Sequence, residues 1–304
     1  MGRIIRPLLK MNLSINAKNN RAPISIEKSE IKSIDYQSKI SSAQVKSAVL
    51  FAGLGATNKT TYQEPFLSRN HTEIMLKSVG ADIDIYDNKT SIRGMSQPLS
   101  PLNMRVPADP STAAFFAGAV SLLPQSELII KNLLTNPTRF GFFNAIKSMG
   151  VEVDILSENS EGGECVSDIF IKNKRLRSIS IEKGKVPSLI DEIPILAVIA
   201  TQAEGKTIIR GAEELRVKES DRIESILFNL RNMGAIVEEF NDGFSIEGPS
   251  KLNGTTIRTF GDHRIAMAFT IAGLVANGET TLDNYECIDI SFPEFFNTLR
   301  NIIK

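Results

Sequence analysis

Apolar and polar positions fall into two alternating regimes along this chain. Four stretches, 42–56, 109–123, 191–203 and 262–276, are rich in Ala, Gly, Val, Ile and Leu on nearly every face. A helix that is apolar all round is a buried one, so each stretch predicts a helix inside a core. Between them a second phrase recurs at 8–13, 75–81, 145–151 and 230–235: a helix-like run, a hydrophobe, Gly or Asn, then strand-like alternation. From Asn12 to Gly80 is 68 residues, from Gly80 to Gly150 is 70, and from Gly150 to Gly234 is 84. Glycine suits the left-handed position that closes a helix, and the alternation after it starts a strand. A truncated copy is expected at 299–302, and strands at 127–130 and 207–209. The repeating unit therefore reads strand, buried helix, strand, amphipathic helix, strand, strand. That period is too long for common solenoids and fits α/β lobes built from a few such units.

Composition narrows the function classes. At 304 residues two domains are expected, because a single core stops growing near that size. Lys+Arg and Asp+Glu are equal at 35 each, so the basic excess of a nucleic-acid binder is missing. Any anion site must be built locally, from a few convergent cations and helix ends. Cys165 and Cys287 are 122 residues apart and the chain has two histidines, which argues against a thiolate zinc site. Unpaired cysteines suit a reducing compartment, and a cytoplasmic location is expected. Apolar runs such as 193–203 stop well short of the ~20 residues a membrane span needs.

Polar residues of the four apolar helices gather at their N-terminal ends: Ser42 and Gln44; Asp109, Ser111 and Thr112; Asp191 and Glu192; Asp262, His263 and Arg264. Ser and Asp are good N-caps, and capping alone accounts for several of them. Arg264 is different, since a cation opposes the helix dipole at an N-terminus. An anion shared with the helix end explains it better. The densest charge cluster is 213–222. It reads either as a solvated turn with Ser220 capping the next helix, or as a ligand site. Lys218 and Arg222 share a face if helix begins by Lys218, and the run follows a strand, at the sheet end where α/β ligand sites collect.

These segments carry a resemblance. Arg216-Val217-Lys218-Glu219-Ser220-Asp221-Arg222 is similar to the R-V-K-E-[ST]-D-R signature of the 5-enolpyruvylshikimate-3-phosphate synthases. Gly261-Asp262-His263-Arg264-Ile265-Ala266-Met267 resembles that family's D-H-R-x-A-M segment, and Ser42-Ala43-Gln44 its S-[SA]-Q segment. Ser68-Arg69-Asn70-His71-Thr72-Glu73 resembles S/T-R-[DN]-H-T-E, and Asp191-Glu192 stands where the family has its catalytic aspartate. The matches keep family order from Gly2-Arg3 to Phe292-Pro293. Two earlier family segments, K-S-x-S-x-R and N-x-G-T-x-x-R, do not occur here, and Ile290 replaces a lysine of some members.

The resemblance implies a two-lobed enolpyruvyl transferase fold of α/β class, built from repeated βαβαββ units around buried helices. Residues 1–106 are expected to hold one full unit (roughly 31–106) and part of another, and 107–304 three units. It implies transfer of the enolpyruvyl group of phosphoenolpyruvate to the 5-hydroxyl of shikimate-3-phosphate, releasing phosphate. Asp191 and Glu219 are the implied acid–base pair. Ser42, Ala43 (through its backbone N–H), Gln44, Arg69, Asp191 and Lys218 are the implied shikimate-3-phosphate contacts. Gln44, Arg222 and Arg264 are the implied phosphoenolpyruvate contacts. No metal or organic cofactor is implied, and a monomer is expected, with no nucleic-acid or membrane partner. Lacking the lysine and arginine of the two earlier segments, the 304-residue chain alone is expected to be inactive. The alternatives are a non-catalytic fragment, or a UDP-N-acetylglucosamine enolpyruvyl transferase, which lacks the R-V-K-E-S-D-R and S-A-Q segments.

Overall fold

A computed structural model describes residues 1–303. The chain forms two compact units, Met1–Val106 with Ser160–Cys165, and Pro107–Asn159 with Val166–Lys304. Sequence places 160–165 with the second unit, but they fold with the first. Arg105 N–H donates to Glu161 Oε2 at 3.3 Å. Gly162 and Gly163, both at positive φ, make a tight turn whose backbone lies against Met104 and Ile74.

One topology recurs in both units. In the first, strand Asp35–Gln37 leads into helix Ala43–Gly53 and then strand Thr60–Gln63, which pairs parallel to it. Helix His71–Ser78 follows, and strands Ile83–Tyr86 and Lys89–Ile92 close an antiparallel edge, with Lys89–Ile92 beside Thr60–Gln63. In the second unit, Ser180–Ile181, Gly205–Ile209, Gly243–Gly248 and Ile236–Phe240 pair in that same order and sense. Glu127–Leu134, Glu164–Lys172 and Glu152–Ile155 repeat it again, with Ala108 bridging parallel to Leu133 in place of the first strand. A last copy is reduced to Thr256–Ile257, helix His263–Gly273, the parallel strand Thr281–Leu282 and the helix Phe295–Ile302. The parallel pair needs a crossover, and the apolar helix supplies it.

The glycines that pace the sequence do what their spacing requires. Gly80, Gly150 and Gly234 have φ of 91°, 109° and 91°, each just past an amphipathic helix, and Asn12 takes φ 67° after helix Gly2–Lys10. Left-handed backbone costs a Cβ-bearing residue energy that glycine avoids.

The apolar helices are shorter than the runs that announce them. They span Ala43–Gly53, Pro110–Leu122, Ile193–Ala200 and His263–Gly273, with Ser42, Asp109 and Asp262 as side-chain N-caps. Asp191 and Glu192 lie in a 3₁₀ turn, Ile190–Glu192, just before their helix. In the second unit every residue of Ile193–Ala200 is buried, and its helix packs on both Pro110–Leu122 and His263–Gly273. A Cβ on Gly118 would stand 2.6 Å from Ile195 Cγ1, so that glycine sets how closely two of these helices approach. One continuous core results, running from Ala113 to Leu299. The first unit has two smaller clusters, around Val45–Val49–Tyr62 and around Leu50–Leu76–Ile92. Among the described residues no helix is long and apolar enough to cross a membrane.

Candidate active site

Helices capped at their N-termini aim orphan N–H groups and partial positive charge past the cap. In the second unit, charged side chains collect at the N-terminal ends of His263–Gly273, Arg222–Asn232 and Ile193–Ala200, the last without a side-chain cap. Asp262 caps His263–Gly273 by accepting the Arg264 N–H at 2.9 Å. The same carboxylate accepts Arg222 Nε at 2.8 Å and the Ser220 hydroxyl at 3.1 Å. Burial alone would raise the Asp262 carboxyl, but the Arg222 guanidinium, the Arg264 N–H and the Ser220 hydroxyl hold it below its ordinary value. Arg222, the first residue of helix Arg222–Asn232, is itself fully buried. Its Nη1 lies 3.3 Å from Asp191 Oδ1, and its Nη2 donates to Glu219 Oε2 at 2.6 Å.

Two more cations close on Asp191. Lys218 Nζ is 3.5 Å from Oδ1, and Arg264 Nη2 is 4.0 Å from Oδ2 while Arg264 Nη1 donates to the Asp191 carbonyl at 3.2 Å. Exposure sorts the group: the Arg222 side chain is 1% exposed, Arg264 18%, Lys218 25% and Glu219 53%. Arg222 is therefore the anchor, and Lys218, Arg264 and Glu219 are the members that can change partner. His263 stays neutral more readily than a free histidine, because burial and the neighbouring Arg264 charge both lower it.

The structure thus brings Asp191, Lys218, Glu219, Arg222 and Arg264 together from three separate segments. It corrects two local readings. Helix starts at Arg222, not by Lys218: residues Glu213–Val217 form a 3₁₀ turn and Lys218 is extended, so Lys218 and Arg222 meet at Asp191 without sharing a helix face. Asp221, not Ser220, caps the helix, accepting from Glu224 N–H, because the Ser220 hydroxyl is committed to Asp262.

Residues outside the expected substrate contacts hold this arrangement. Arg216 ties the loop down through Asp221 Oδ2 at 3.0 Å, Glu239 Oε1 at 2.9 Å and the Phe240 carbonyl at 2.9 Å. Beside Asp191, Glu192 is buried and its carboxyl is pushed up by that burial, against the pull of Arg139. Ser111 donates to Glu192, and Arg139 Nη2 donates to Ser111 Oγ at 2.7 Å and to Asp109 Oδ1 at 3.1 Å. Ser111 and Asp109 stood out as helix-end polar residues; Arg139, in a loop after Glu127–Leu134, had no periodic or motif signal.

In the first unit, Ser42 accepts from Val45 N–H as the N-cap of Ala43–Gly53, leaving Ala43 half-buried and Gln44 exposed at the helix start. The segment carrying half-buried Arg69 lies alongside: Ser41 Oγ donates to the Phe66 carbonyl at 2.7 Å and accepts the Phe66 N–H at 3.0 Å. Ser47 and Thr72 share a hydroxyl–hydroxyl bond of 2.6 Å. Ser42, Ala43, Gln44 and Arg69 therefore sit on two tied segments. Glu73, in helix His71–Ser78, is fully buried. His71 Nδ1 lies 2.6 Å from buried Glu164 Oε1, so it is anchored within the unit. Among the described residues no group of three or more His, Cys, Asp or Glu is placed to hold a metal ion.

Comparison with known proteins identifies the family. The family model for EPSP synthase (3-phosphoshikimate 1-carboxyvinyltransferase) matches residues 1–299. The 3-phosphoshikimate 1-carboxyvinyltransferase of Thermodesulfovibrio yellowstonii is 48% identical over 307 residues, covering 100% of this chain and 71% of that protein. The solved EPSP synthase of Acinetobacter baumannii superposes with a TM-score of 0.90 at 38% identity, over 99% of this chain and 70% of that one. The enolpyruvyl transferase NikO of Streptomyces tendae shares the fold, with a TM-score of 0.78 at 19% identity.

Proposed function

The chain belongs to the EPSP synthase family, and from that premise we propose how its own residues divide the family's reaction. The activity is that of a 3-phosphoshikimate 1-carboxyvinyltransferase, a transferase of the shikimate pathway to aromatic amino acids. The enolpyruvyl group of phosphoenolpyruvate passes to the 5-hydroxyl of shikimate-3-phosphate and phosphate leaves. The observation that carries the assignment of roles is the convergence of Lys218, Arg222 and Arg264 on one carboxylate, Asp191, at apolar-helix N-termini.

In the free chain three cations engage the Asp191 carboxylate. Substrate anions change that. When the carboxylate and phosphate of phosphoenolpyruvate take Arg264 and the Glu219-facing edge of Arg222, and shikimate-3-phosphate takes Lys218, those cations gain other counter-ions. Asp191 then accepts the proton of the 5-hydroxyl as its oxygen attacks C2. Glu219, half exposed and able to exchange protons with water, delivers a proton to C3. In the second half the tetrahedral adduct loses a C3 proton to the carboxylate that supplied it, and the C–O bond to phosphate breaks. Each proton transfer is worth ~10²–10⁴-fold. Guanidinium suits the clamp because its fork matches carboxylate and phosphate bidentately. In the first unit, Ser42 and the Ala43 N–H hold the 3-phosphate, Gln44 touches both substrates, and Arg69 lies along the shikimate ring.

Calorimetry with shikimate-3-phosphate tests the reading directly. Lys218→Met should weaken binding roughly tenfold or more, the loss of a charge-assisted bond; equal affinity in wild type and variant sinks the role of Lys218. Turnover belongs to a second assay, in which a segment bearing K-S-x-S-x-R and N-x-G-T-x-x-R is fused ahead of Met1. Phosphate release by the 304-residue chain without it would overturn the expectation that those residues are needed.

A further inference from the structure

The deepest charges of the first unit lie under the two segments assigned above to shikimate-3-phosphate. Lys46 interrupts an otherwise apolar stretch of helix Ala43–Gly53 and is buried. Its ammonium stands 2.8 Å from Glu64 Oε1 and 2.7 Å from Glu73 Oε1, and all three side chains are at most 1% exposed. The two oxygens of Glu64 have different partners. Oε2 accepts the Ser42 N–H at 3.2 Å. Oε1 accepts the Ser68 N–H and the Ser68 hydroxyl, each at 2.9 Å, besides Lys46. Ser42 opens the Ser-Ala-Gln segment and Ser68 directly precedes Arg69, so one carboxylate grips both.

Ion clusters of this depth are poor stabilisers, since apolar residues of similar volume fill such space as well or better. This cluster also carries two acids for one base. Burial raises the Glu73 carboxyl, against the pull of Lys46, and Glu73 Oε2 has no hydrogen-bond partner. Glu64 is the acid whose two oxygens are both engaged, and its four bonds have a use that packing does not supply: they set the spacing between two backbone segments on different elements.

We propose that Glu64, seated by Lys46, is a positioning residue for shikimate-3-phosphate, fixing the Ser42 segment and the Ser68-Arg69 segment at the one spacing that lets both reach the same ligand. The inference rests on the assignment of those segments to shikimate-3-phosphate. Glutamine at 64 keeps the volume but offers one acceptor oxygen, so it can hold one segment and not both.

Two variants of the 304-residue chain test this, Glu64→Gln and the double variant Lys46→Met/Glu64→Gln, whose neutral filling keeps the fold if the single variant fails to form. Shikimate-3-phosphate affinity is read by calorimetry, and amide exchange at Ser42 and Ser68 in the free protein. The expected result is roughly 10–100-fold weaker binding, with faster exchange at one or both amides and an unchanged helical signal. Wild-type affinity in the double variant, or wild-type exchange at both amides, overturns the proposal. If wild type itself binds no shikimate-3-phosphate, the assignment of the segments fails; faster exchange at either amide in the variant would still establish the grip of Glu64 on that segment, and slow exchange at both would remove it.

Discussion

Both units bury charge beneath the N-terminus of an apolar helix, yet the two clusters are built for different ends. Under Ser42 the Lys46–Glu64–Glu73 cluster is sealed, with every side chain at most 1% exposed. Around Asp191 a buried anchor, Arg222, is surrounded by members that reach solvent: Arg264, Lys218 and Glu219. A sealed cluster can only hold backbone in place, because none of its groups can trade partners without water. The open cluster can exchange its internal ion pairs for those of a ligand. The charge balance differs too. In the first unit two acids, Glu64 and Glu73, share one base. In the second, Lys218, Arg222 and Arg264 are matched by Asp191, Glu219 and Asp262.

The sharpest way to break that comparison is to remove each buried cation. Arg222→Met leaves Asp262 buried, capping a helix and without its main counter-charge. That should cost about 3–5 kcal/mol, as breaking buried pairs does, seen as a lower urea midpoint for the second unit. Lys46→Met should cost less, since Glu73 is already inclined to carry a proton and Glu64 keeps its bonds to Ser42 and Ser68. Equal losses would mean that the two clusters do the same structural job.

Next in size is chemistry confined to the open cluster. Asp191→Asn and Glu219→Gln keep shape and remove proton transfer. In the N-terminally fused protein each should lower kcat ~10²-fold or more while shikimate-3-phosphate still binds. Normal turnover in both would refute the acid–base roles. Arg264→Lys follows, with phosphoenolpyruvate binding weakened by about 1.5–3 kcal/mol and the melting temperature held. A lower melting temperature with unchanged kinetics would mark Arg264 as structural.

Much of this contrast could be read from the chain before any fold was known, and the rest could not. The paced glycines 80, 150 and 234 and the four apolar runs announce the repeating unit, because helix closure and all-round burial leave marks at fixed positions. The open cluster was legible as well: its residues sit in contiguous charged or helix-end segments, where Arg264 stood out against the dipole. The sealed cluster was hidden in plain view. Lys46 is a lone lysine in an apolar helix, a signal that periodicity alone reads as a surface position. Glu64 directly follows strand Thr60–Gln63 and precedes Pro65, with no periodic mark. Arg139 lies in a loop with no period, and only the distance to Ser111 gives it a role. The start of helix at Arg222 is ambiguous in sequence because Asp221 and Ser220 are both good caps, and the choice is made by Asp262, 42 residues beyond Ser220.

The smallest expected effect is a slope. Glu73 and Asp262 are both fully buried, and folding moves them in opposite directions. The Glu73 carboxyl is raised above its ordinary 4.5 by burial, with Lys46 pulling down and Glu64 pushing up. The folded chain therefore holds a proton that the unfolded chain gives up, so the stability Glu73 contributes is full below 4.5 and declines as pH rises toward its folded value. Asp262 is lowered from 3.8, since Arg222 outweighs the cost of burial; its contribution is full above 3.8 and is lost as pH falls through its folded value. Urea midpoints measured across this acid range should separate the two clusters. Glu73→Gln should flatten the decline above 4.5 and leave the acid limb alone. Asp262→Asn should flatten the loss below 3.8 at the cost of overall stability, since the cap and the Arg222 partner both go. A Glu73→Gln profile parallel to wild type at every pH would mean that Glu73 is ionised in the fold, and that the sealed cluster carries a net negative charge after all.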